Sequence, residues 1–452
     1  MEHSGHHYIA IIGGAVAGSE AANQLAIRGF RVVVFDQNML PYGKIEDGLP
    51  KWHDKLRNKE EEKIDQKLSL PNVRYVPQVT LGKDIDFDDL VKNWGFTAVL
   101  LATGAWKDRP LPVDGIDNYI NRGLVYQNPL VYWFNHYHEP NYSDRQYEIH
   151  DNALVVGGGL ASLDVIKILM IETVQRALKQ RGHEVSMFAL DRSIHKVLDE
   201  LGYTLDSLGL KGCALCYRRG AADMPLSPLP AETAEQKEKS RAVSQKILDN
   251  FQNKYLFRFE PFLVPVDKIV DGDRLAGLVF QKTKLENGKV IAIPNTETEF
   301  NSPLTISSIG SLPDLIPGIP SVGSVFKIVD SKTCQIEGYD NVYALGNAVT
   351  GRGNIAESQK HGKKVSLEVM EAQLDWLEDD LKQLLRDQEA IIDENVNQII
   401  KKINIEKPMP DQVIKSILDR TKKLQEKVGY DGHYANWVKK HLPLRLEDML
   451  EK

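Results

Sequence analysis

An apolar strand, a glycine-rich turn and a helix follow one another twice in this chain, and this repeated unit constrains the fold more than any other feature. In the first copy, apolar and β-branched residues predict strands at Tyr8–Ile12 and in RVVVFD, with the helical periodicity of SEAANQLAIRG between them. In the second copy, a strand at 152–156 leads into GGG and a long helix in LDVIKILMIETVQRALKQRG. Strands and helices that alternate in this way predict an α/β fold with two parallel-sheet domains.

The first glycine-rich turn has the residues that a dinucleotide requires. It is a G-x-A-x-x-G variant of the dinucleotide-binding fingerprint, formed by Gly13, Ala15 and Gly18. Glycine lets the backbone approach a pyrophosphate, whose negative charge then lies at the helix N-terminus. Asp36 ends the second strand 18 residues after Gly18, where a carboxylate can accept hydrogen bonds from ribose hydroxyls. We therefore expect the first domain to be Rossmann-like and to bind a dinucleotide.

The second turn has glycine or a small residue at the corresponding positions, Gly157, Gly159 and Ser162. We expect its unit to end in the strand GCALCYRR, after a helix-rich insertion, so that Arg218 and Arg219 stand where the first unit has a carboxylate. An arginine pair binds a 2′-phosphate through charge-assisted hydrogen bonds, whereas a carboxylate would repel it. This pattern favours NADP over NAD in the second domain. A solvated basic turn is the alternative interpretation.

Two further segments indicate how the domains are connected. In FTAVLLATGAWKDRPLPVDG, a strand at 98–102 ends in Thr103 and Gly104, and the prolines stiffen the exit, which suits a crossing between domains. In NVYALGNAVTGRGNIAESQKHGKKVS, a strand leads into a glycine-rich turn that begins at Gly346 and then into a helix. The N–H groups of that turn could face a second part of the first nucleotide. Two nucleotide sites in one chain suggest two cofactors, one of which passes electrons to the other.

Composition narrows the remaining possibilities. A net charge of −7 provides no basic surface of the kind that nucleic acid binding needs, and no apolar run approaches the roughly 20 residues that span a bilayer. The N-terminal segment lacks the apolar centre of a signal peptide, and three cysteines indicate a reducing compartment, so we expect a cytoplasmic protein. Cys213 and Cys216 lie in an apolar strand and should point to opposite faces, which favours buried thiols and no metal site.

Together these motifs resemble the ferredoxin–NADP reductases of the adrenodoxin-reductase type, and the flavoprotein subunit of glutamate synthase shares much of the pattern. The resemblance extends over about residues 8–365 and rests on the order and spacing of GGAVAGSEAA, PYGKIEDGLPKWHDKLRN, YVPQVTLGKDI, AVLLATGA, GGGLASLDV, CYRRGAADMP and GNAVTGRGNIAES. It implies an FAD-binding domain in two parts, 1–109 and 326–365, and an NADP-binding domain at 110–325. The sequence also predicts a C-terminal helical extension at 366–452, which lies outside the resemblance.

The resemblance implies roles for individual residues of the first fingerprint and the segments that follow it. Ala17 would lie against the FAD phosphates, and Asp36 would hold the adenosine ribose. Lys44 in PYGKIEDG and Val79 in PQVTLG match positions that contact FAD through backbone atoms.

Further roles are implied for the C-terminal motif. Asn347 takes the place of a tryptophan of adrenodoxin reductase, so a stacking contact there is not expected from this chain. Gly353, Asn354 and Ile355 match the turn whose amides approach the flavin ring, and Gly353 also lies near the nicotinamide. The arginine pair matches the residues that bind the 2′-phosphate, which agrees with the charge argument above.

His53 and Asp164 fall on positions at which the resemblance implies a hydrogen-bonded pair beside the redox centre. They could handle a flavin proton or orient the nicotinamide amide. The alternatives are a surface histidine in a polar loop and an aspartate one residue into a helix, where its charge would favour the helix N-terminus.

The resemblance implies a flavoprotein oxidoreductase in which NADPH delivers a hydride to FAD, and FAD passes single electrons to ferredoxin or another separate iron–sulfur carrier. An NADPH-dependent reductase of a small molecule such as a quinone, and an electron-input or docking subunit of a larger redox complex, are the alternatives. The charged helices after residue 366 carry apolar residues at three- and four-residue spacing, which favours a cap on the FAD domain, a homo-oligomer contact or a docking surface.

Overall fold

The computed structural model describes residues 4–227, 233–350, 376–403 and 407–450. Its largest sheet has seven strands, in the spatial order Ile328–Asp330, Gln335–Ile336, Val342–Ala344, Ala98–Leu101, Tyr8–Ile12, Arg31–Phe35 and Val73–Val76. The five strands from Val342–Ala344 to Val73–Val76 run parallel, and the two at the other edge are antiparallel. Taken in chain order, the parallel strands have the 3-2-1-4-5 arrangement of a Rossmann fold.

A second parallel sheet has five strands, in the order Leu124–Tyr126, Thr305–Ser308, Leu154–Gly157, Ala214–Cys216 and Arg258–Glu260. Helix Leu160–Gln180 follows the central strand and packs in the main hydrophobic core of this domain. An antiparallel sheet is inserted after the last of these strands and consists of Leu263–Asp271, Arg274–Glu286, Lys289–Ala292 and Thr298–Asn301. The prediction of an α/β fold with two Rossmann-like domains is confirmed.

The chain passes twice between the two parallel sheets. The outgoing strand Lys107–Asp108 pairs antiparallel with the returning strand Ser311–Leu312. A small hairpin, Ser321–Val322 and Val325–Phe326, follows before the chain re-enters the first sheet. The first sheet is therefore built from chain segments on both sides of the second one, whereas the residue boundaries predicted for the domains stay a prediction.

The remaining helices lie on the faces of the sheets or at their edges. The α-helices are Val16–Ile27, Lys44–Asp47, Asp54–Leu68, Phe87–Asn93, Gln127–His136, Met187–Arg192, Ile194–Leu201, Leu205–Leu208, Ala234–Tyr255, Asn347–Thr350, Trp376–Lys402, Asp411–Lys427, Tyr434–His441 and Leu446–Leu450. Short 3₁₀ turns occur at Ser4–His6, Lys51–His53, Ile116–Tyr119 and Ala221–Asp223. Within the ranges described, no helix is long and apolar enough to cross a membrane.

The described part of the C-terminal extension packs on the first domain. Arg28, at the end of helix Val16–Ile27, donates from Nη2 to Asn397 Oδ1 at 2.6 Å. Lys67 Nζ lies 2.7 Å from Glu20 Oε2 and 2.6 Å from Glu389 Oε1, so it joins two helices of the first domain to helix Trp376–Lys402. These contacts agree with one of the three alternatives drawn from the sequence, in which the C-terminal helices form a cap on the first domain.

Candidate functional site

The first glycine-rich turn brings a helix unusually close to the end of a strand. Gly13 has φ +101°, and a Cβ atom at this position would lie 2.5 Å from the carbonyl oxygen of Ala102. A Cβ atom at Gly18 would lie 1.7 Å from the carbonyl oxygen of Gly13. Only glycine fits at both positions, so helix Val16–Ile27 can begin directly behind the turn and point its N-terminus at the space beyond the strand.

Asp36 lies at the end of the neighbouring strand, with its carboxylate directed at the same turn. Its Oδ2 accepts a hydrogen bond of 2.6 Å from the N–H of Gly14, and its Oδ1 accepts one of 2.8 Å from the N–H of Asn38. Burial raises the pKa of Asp36 to about 6, although the two backbone hydrogen bonds act in the opposite direction. The two hydrogen bonds fix the orientation of the carboxylate, which could accept further hydrogen bonds from hydroxyl groups.

A cavity of about 1070 Å³ opens in front of the turn. It is lined by many of the predicted cofactor-binding residues, namely Gly13, Ala17, Asp36, Lys44, Val79, Gly104, Gly346 and Asn347. Gly18 does not line it, since this residue is buried between helix and strand. Gly346 has φ +60°, and a Cβ atom there would lie 2.9 Å from Cβ of Ala17, so a side chain would narrow the cavity. The size is at the upper end of that of ligand pockets.

Lys44 links this cavity to the connection between the domains. Its Nζ donates hydrogen bonds of 3.1 Å to Asn128 Oδ1 and of 3.1 Å to Ser311 Oγ. Burial lowers the pKa of Lys44, although Asp108 and Asp314 act in the opposite direction. A substitution of Lys44 would therefore affect the paired crossing strands as well as the cavity.

The sequence did not reveal how much of the cavity is lined by residues from elsewhere. Gln127 and Ala161 of the second domain are part of its lining, and so are Leu385 and Ile392 of helix Trp376–Lys402. Ala161 follows Gly159 by two residues and could have been found from the second fingerprint. The helix residues had no such signal, because their amphipathic pattern does not say against what they pack.

The second glycine-rich turn also depends on close packing. A Cβ atom at Gly157 would lie 2.2 Å from Ser162 Oγ and 2.5 Å from the carbonyl oxygen of Ser308. Ser162 is buried and donates to that oxygen at 3.1 Å, so these residues hold the turn against the sheet. Gly159 is different, since it precedes helix Leu160–Gln180 and no atom would lie within 4 Å of a Cβ there. It leaves an open space at the N-terminus of a long helix, which could accept a phosphate.

The arginine pair follows strand Ala214–Cys216 next to this turn. Arg218 is exposed, and its carbonyl oxygen accepts a hydrogen bond of 2.9 Å from Thr283 Oγ1. Arg219 is half-buried, and its Nε is buried with no hydrogen-bond partner in the described part of the chain. A buried guanidinium N–H without an acceptor is costly, so this atom could bind an anion.

Tyr217 was not predicted, although it precedes the pair. A Cβ atom at Gly158 would lie 2.1 Å from Cε2 of this ring, so the tyrosine occupies the space that a larger residue in the turn would need. Its hydroxyl donates to the carbonyl oxygen of Asp223 at 3.1 Å. The ring therefore connects the glycine-rich turn to the segment that carries the arginines.

His53 and Asp164 are brought together across the domains. His53 Nε2 lies 3.5 Å from Asp164 Oδ1, and their side chains are 8% and 13% exposed. The surface-loop alternative for His53 is therefore wrong, since this residue is buried at the end of the turn Lys51–His53. The placement of Asp164 one residue into a helix is also wrong, because the helix begins at Leu160. Gly353, Asn354 and Ile355 lie outside the described residues.

Cys213 and Cys216 are buried free thiols that pack in different hydrophobic clusters, as expected for opposite faces of a strand. Burial raises the pKa of Cys216 to about 12, so its thiol stays protonated at neutral pH. Among the residues that the structure describes, no group of three or more His, Cys, Asp or Glu side chains could hold a metal ion.

Comparison with known proteins is consistent with this geometry. A profile of the pyridine nucleotide-disulphide oxidoreductase family matches residues 7–201. The chain is 30% identical over 183 residues to the glutamate synthase [NADPH] small chain of Bacillus subtilis, a match that covers 40% of this chain and 34% of that protein. It is 25% identical over 350 residues to the mitochondrial NADPH:adrenodoxin oxidoreductase of Arabidopsis thaliana, which covers 69% of each chain.

A solved structure shows the same fold over a longer stretch. FprA of Mycobacterium tuberculosis in complex with NADPH superposes with a TM-score of 0.66 at 18% identity, over 93% of this chain and 91% of that one. The chain thus spans about a third of the Bacillus protein, 69% of the Arabidopsis protein and nearly all of FprA. The match to the pyridine nucleotide-disulphide oxidoreductase family extends over residues 7–201, and the resemblance to adrenodoxin reductases and glutamate synthase small chains is confirmed.

Proposed function

We propose that this chain is an FAD-dependent NADPH oxidoreductase that moves a hydride between NADPH and FAD and passes single electrons to a separate iron–sulfur carrier such as ferredoxin. One observation carries the proposal: Ala161, in the first turn of the second domain's long helix, lines the same cavity as Gly13 and Asp36 of the first domain. Two nucleotides, one bound at each glycine-rich turn, would therefore approach each other in this cavity. Hydride transfer requires such an approach, to about 3–3.5 Å between reacting atoms.

The residues of the first cavity fit FAD. Asp36 offers carboxylate oxygens to a ribose, and the N-terminus of helix Val16–Ile27 lies behind Gly13 and Ala17, where a pyrophosphate would be favoured. Val79, Gly104, Gly346 and Asn347 would complete the lining, together with Lys44. Bound FAD supplies the redox chemistry, since it accepts a hydride and releases electrons singly.

The residues of the second turn fit NADP(H). Gly159 leaves space for a phosphate at the helix N-terminus, and Arg219 has a buried N–H without an acceptor. Arg218 is exposed beside it and could complete a fork for a 2′-phosphate. The names of the Bacillus and Arabidopsis relatives both specify NADPH, which supports the same choice.

His53 and Asp164 would act where the two nucleotides meet. Asp164 Oδ1 lies 3.5 Å from His53 Nε2, and this buried nitrogen has no hydrogen-bond partner in the described part of the chain, so it could bind an atom of a ligand. The pair could hold a proton beside the reacting atoms or position the nicotinamide amide.

The electron acceptor would be a separate molecule. The chain has three cysteines, fewer than the four thiolates that an iron–sulfur cluster commonly requires, and two of them are in the core of the second domain. Subunits of a larger redox complex are the other class of partner, and the C-terminal helices leave a homo-oligomer open. Three free cysteines also support a reducing, cytoplasmic location.

Anaerobic stopped-flow spectroscopy tests the proposal. We expect FAD-loaded protein to be yellow, to be bleached by NADPH much faster than by NADH, and to reduce cytochrome c only when ferredoxin is added. Bound FAD that NADPH never reduces would contradict the proposal and favour a docking subunit, and turnover with quinones alone would favour a small-molecule reductase.

A matched pair of variants tests the role of His53. His53→Gln should slow flavin reduction by about 10-fold or more, and the pH dependence of that step should change with it. His195→Gln is the control, because His195 is an exposed histidine that also lies near an aspartate, 3.3 Å from Asp199. Equal rates in the two variants would remove His53 from the reaction.

A further inference from the structure

Phe262 is an exposed aromatic residue in a left-handed backbone conformation, directly beside the arginine pair. Its φ is +57°, and 43% of its surface is exposed. Bulky residues rarely adopt positive φ, and such conformations persist where the surroundings enforce them, often at ligand sites. Four of the other seven non-glycine residues with positive φ in the described ranges are asparagines, and asparagine tolerates this conformation.

Hydrogen bonds on both sides hold Phe262 in this conformation. Its N–H donates to the carbonyl oxygen of Arg219 at 3.3 Å, and its carbonyl oxygen accepts from the N–H of Thr283 at 2.8 Å. Thr283 also donates through Oγ1 to the carbonyl oxygen of Arg218 at 2.9 Å. The inserted antiparallel sheet therefore fixes Phe262 and the two arginines relative to one another.

The ring lies against the chain just after the arginines. A Cβ atom at Gly220 would be 3.0 Å from Phe262 Cζ, so one part of the ring covers that glycine while much of the ring faces solvent. Packing of the ring in a hydrophobic core does not account for the unfavourable backbone conformation, because Phe262 is not a member of the buried hydrophobic clusters of the second domain. A ligand that covers the exposed part would account for it.

The chemistry of the proposed ligand places an aromatic base at this position. In a nucleotide with a 2′-phosphate, adenine is attached to the ribose carbon next to the one that carries the phosphate. If the phosphate lies on Arg218 and Arg219, the base must lie within a few bond lengths of it. Aromatic side chains stack on bases through the face of the ring, without the need for a hydrogen-bond pattern.

We propose that Phe262 provides the stacking surface for the adenine of a nucleotide whose 2′-phosphate is bound by Arg218 and Arg219. This inference rests on the proposed function of the second domain and deepens it. Phe262 contributes affinity for the adenosine part, which NADP and NAD share, while the arginines select the phosphate. The two contributions are therefore separable by experiment.

Calorimetric titration with 2′,5′-ADP and with 5′-ADP tests this directly, since neither ligand takes part in redox chemistry. Phe262→Gly should weaken the binding of both ligands by about 10-fold, and Phe262→Trp should restore it. The ratio of the two dissociation constants should stay as in the wild type. Glycine accepts φ +57° without strain, so the variant should fold, which its thermal melting temperature checks.

Val270→Gly is the matched control, because Val270 is 40% exposed in the same antiparallel sheet and should leave both affinities unchanged. If Phe262→Gly lowers the melting temperature but binds both ligands within twofold of the wild type, the ring only covers Gly220 and the inference fails alone. If the wild type binds neither ligand, the proposed NADP site fails together with it.

Discussion

Arg445, close to the C-terminus, is expected to stabilise the helix that borders the first cavity. Its Nη1 lies 2.5 Å from Glu46 Oε2, and its Nη2 lies 2.9 Å from both carboxylate oxygens of Glu61. Glu46 belongs to helix Lys44–Asp47, and Lys44 lines the cavity. Arg445→Met would remove the guanidinium while it keeps most of the apolar volume.

The charges around Arg445 determine the size of the effect. Burial and a hydrogen bond with Glu46 raise the pKa of Glu61. Burial also opposes ionisation of Glu46, but its hydrogen bond with Glu61 and the charge of Arg445 hold the pKa of Glu46 below its ordinary value. The two carboxyl groups thus share a proton and carry about one negative charge, which the guanidinium of Arg445 compensates most strongly and Arg57 and His136 compensate less.

The expected loss is large, because Arg445→Met leaves that buried charge without its strongest counter-ion. Removal of one partner of a buried ion pair costs about 3–5 kcal/mol. For a domain of ordinary size this corresponds to a melting temperature lowered by roughly 5–15 °C. In the variant the pKa of the remaining carboxylate rises above its unfolded value, so the folded state binds a proton that the unfolded state lacks at neutral pH. The destabilisation is therefore full at high pH and decreases by about 1.4 kcal/mol per pH unit below the raised pKa.

Thermal unfolding between pH 5.5 and 8 measures both the loss and its pH dependence. Arg420→Met is the control, since Arg420 is a 38% exposed arginine of the C-terminal helices that lies 3.2 Å from the exposed Asp89. An exposed pair contributes about 0–1 kcal/mol, so this variant should melt close to the wild type at every pH. Adding Glu46→Gln to Arg445→Met should recover part of the loss, because it removes the buried charge.

The reasoning would be refuted if Arg445→Met melted within a degree or two of Arg420→Met across the pH range. It would also be refuted if the loss grew as the pH fell, since protonation must relieve an uncompensated carboxylate. A loss of stability that Glu46→Gln deepens would also refute it, since removal of the uncompensated charge must relieve the variant.

Three further predictions concern the nucleotide sites. The double variant Arg218→Ala/Arg219→Ala should lower kcat/KM for NADPH by about 100-fold while NADH changes little, because only NADPH has the 2′-phosphate; equal losses in steady-state assays would contradict the phosphate fork. The affinity of the apoprotein for FAD, measured by flavin fluorescence, should increase as the pH rises through about 6, because Asp36 is ionised above that pKa and can accept two hydrogen bonds from hydroxyl groups. Asp36→Asn should bind FAD more weakly and without this pH dependence. Gly158→Ala should lower the free energy of unfolding by about 1–3 kcal/mol through a clash with the ring of Tyr217, and Tyr217→Ala in the same chain should relieve that clash, so additive losses in thermal unfolding would refute the contact.

Much of the first domain could be predicted because its signals are local. The strand Tyr8–Ile12 has the predicted bounds, since a run of buried apolar residues between a polar segment and a glycine-rich turn can only be a short core strand. Asp36 was found because the fingerprint fixes its spacing from the glycines. The arginine pair was found because it takes the place of a carboxylate in the second unit.

The rest depends on packing between distant segments. The sequence pattern places Ser162 in the turn and therefore predicts a helix start that is too late. In the structure its side chain donates a hydrogen bond to the carbonyl oxygen of Ser308, 146 residues away, and the helix begins at Leu160. Leu385 and Ile392 line a cavity formed mainly by residues before 110, and no local pattern relates the two regions. The strained backbone of Phe262 is likewise enforced by hydrogen bonds to two other chain segments.

The charged groups around the two sites share a physical property that relates the fold to the proposed ligands. Burial disfavours the ionised form of Asp36, which raises its pKa, and the ionised form of Lys44, which lowers its pKa. Arg219 has a buried N–H without an acceptor among the described residues. Each of these buried groups lowers the stability of the folded protein, and such unfavourable features occur mainly at functional sites. Ribose hydroxyls and a phosphate are the groups that would compensate at Asp36 and Arg219, so two bound dinucleotides would stabilise the protein at both sites.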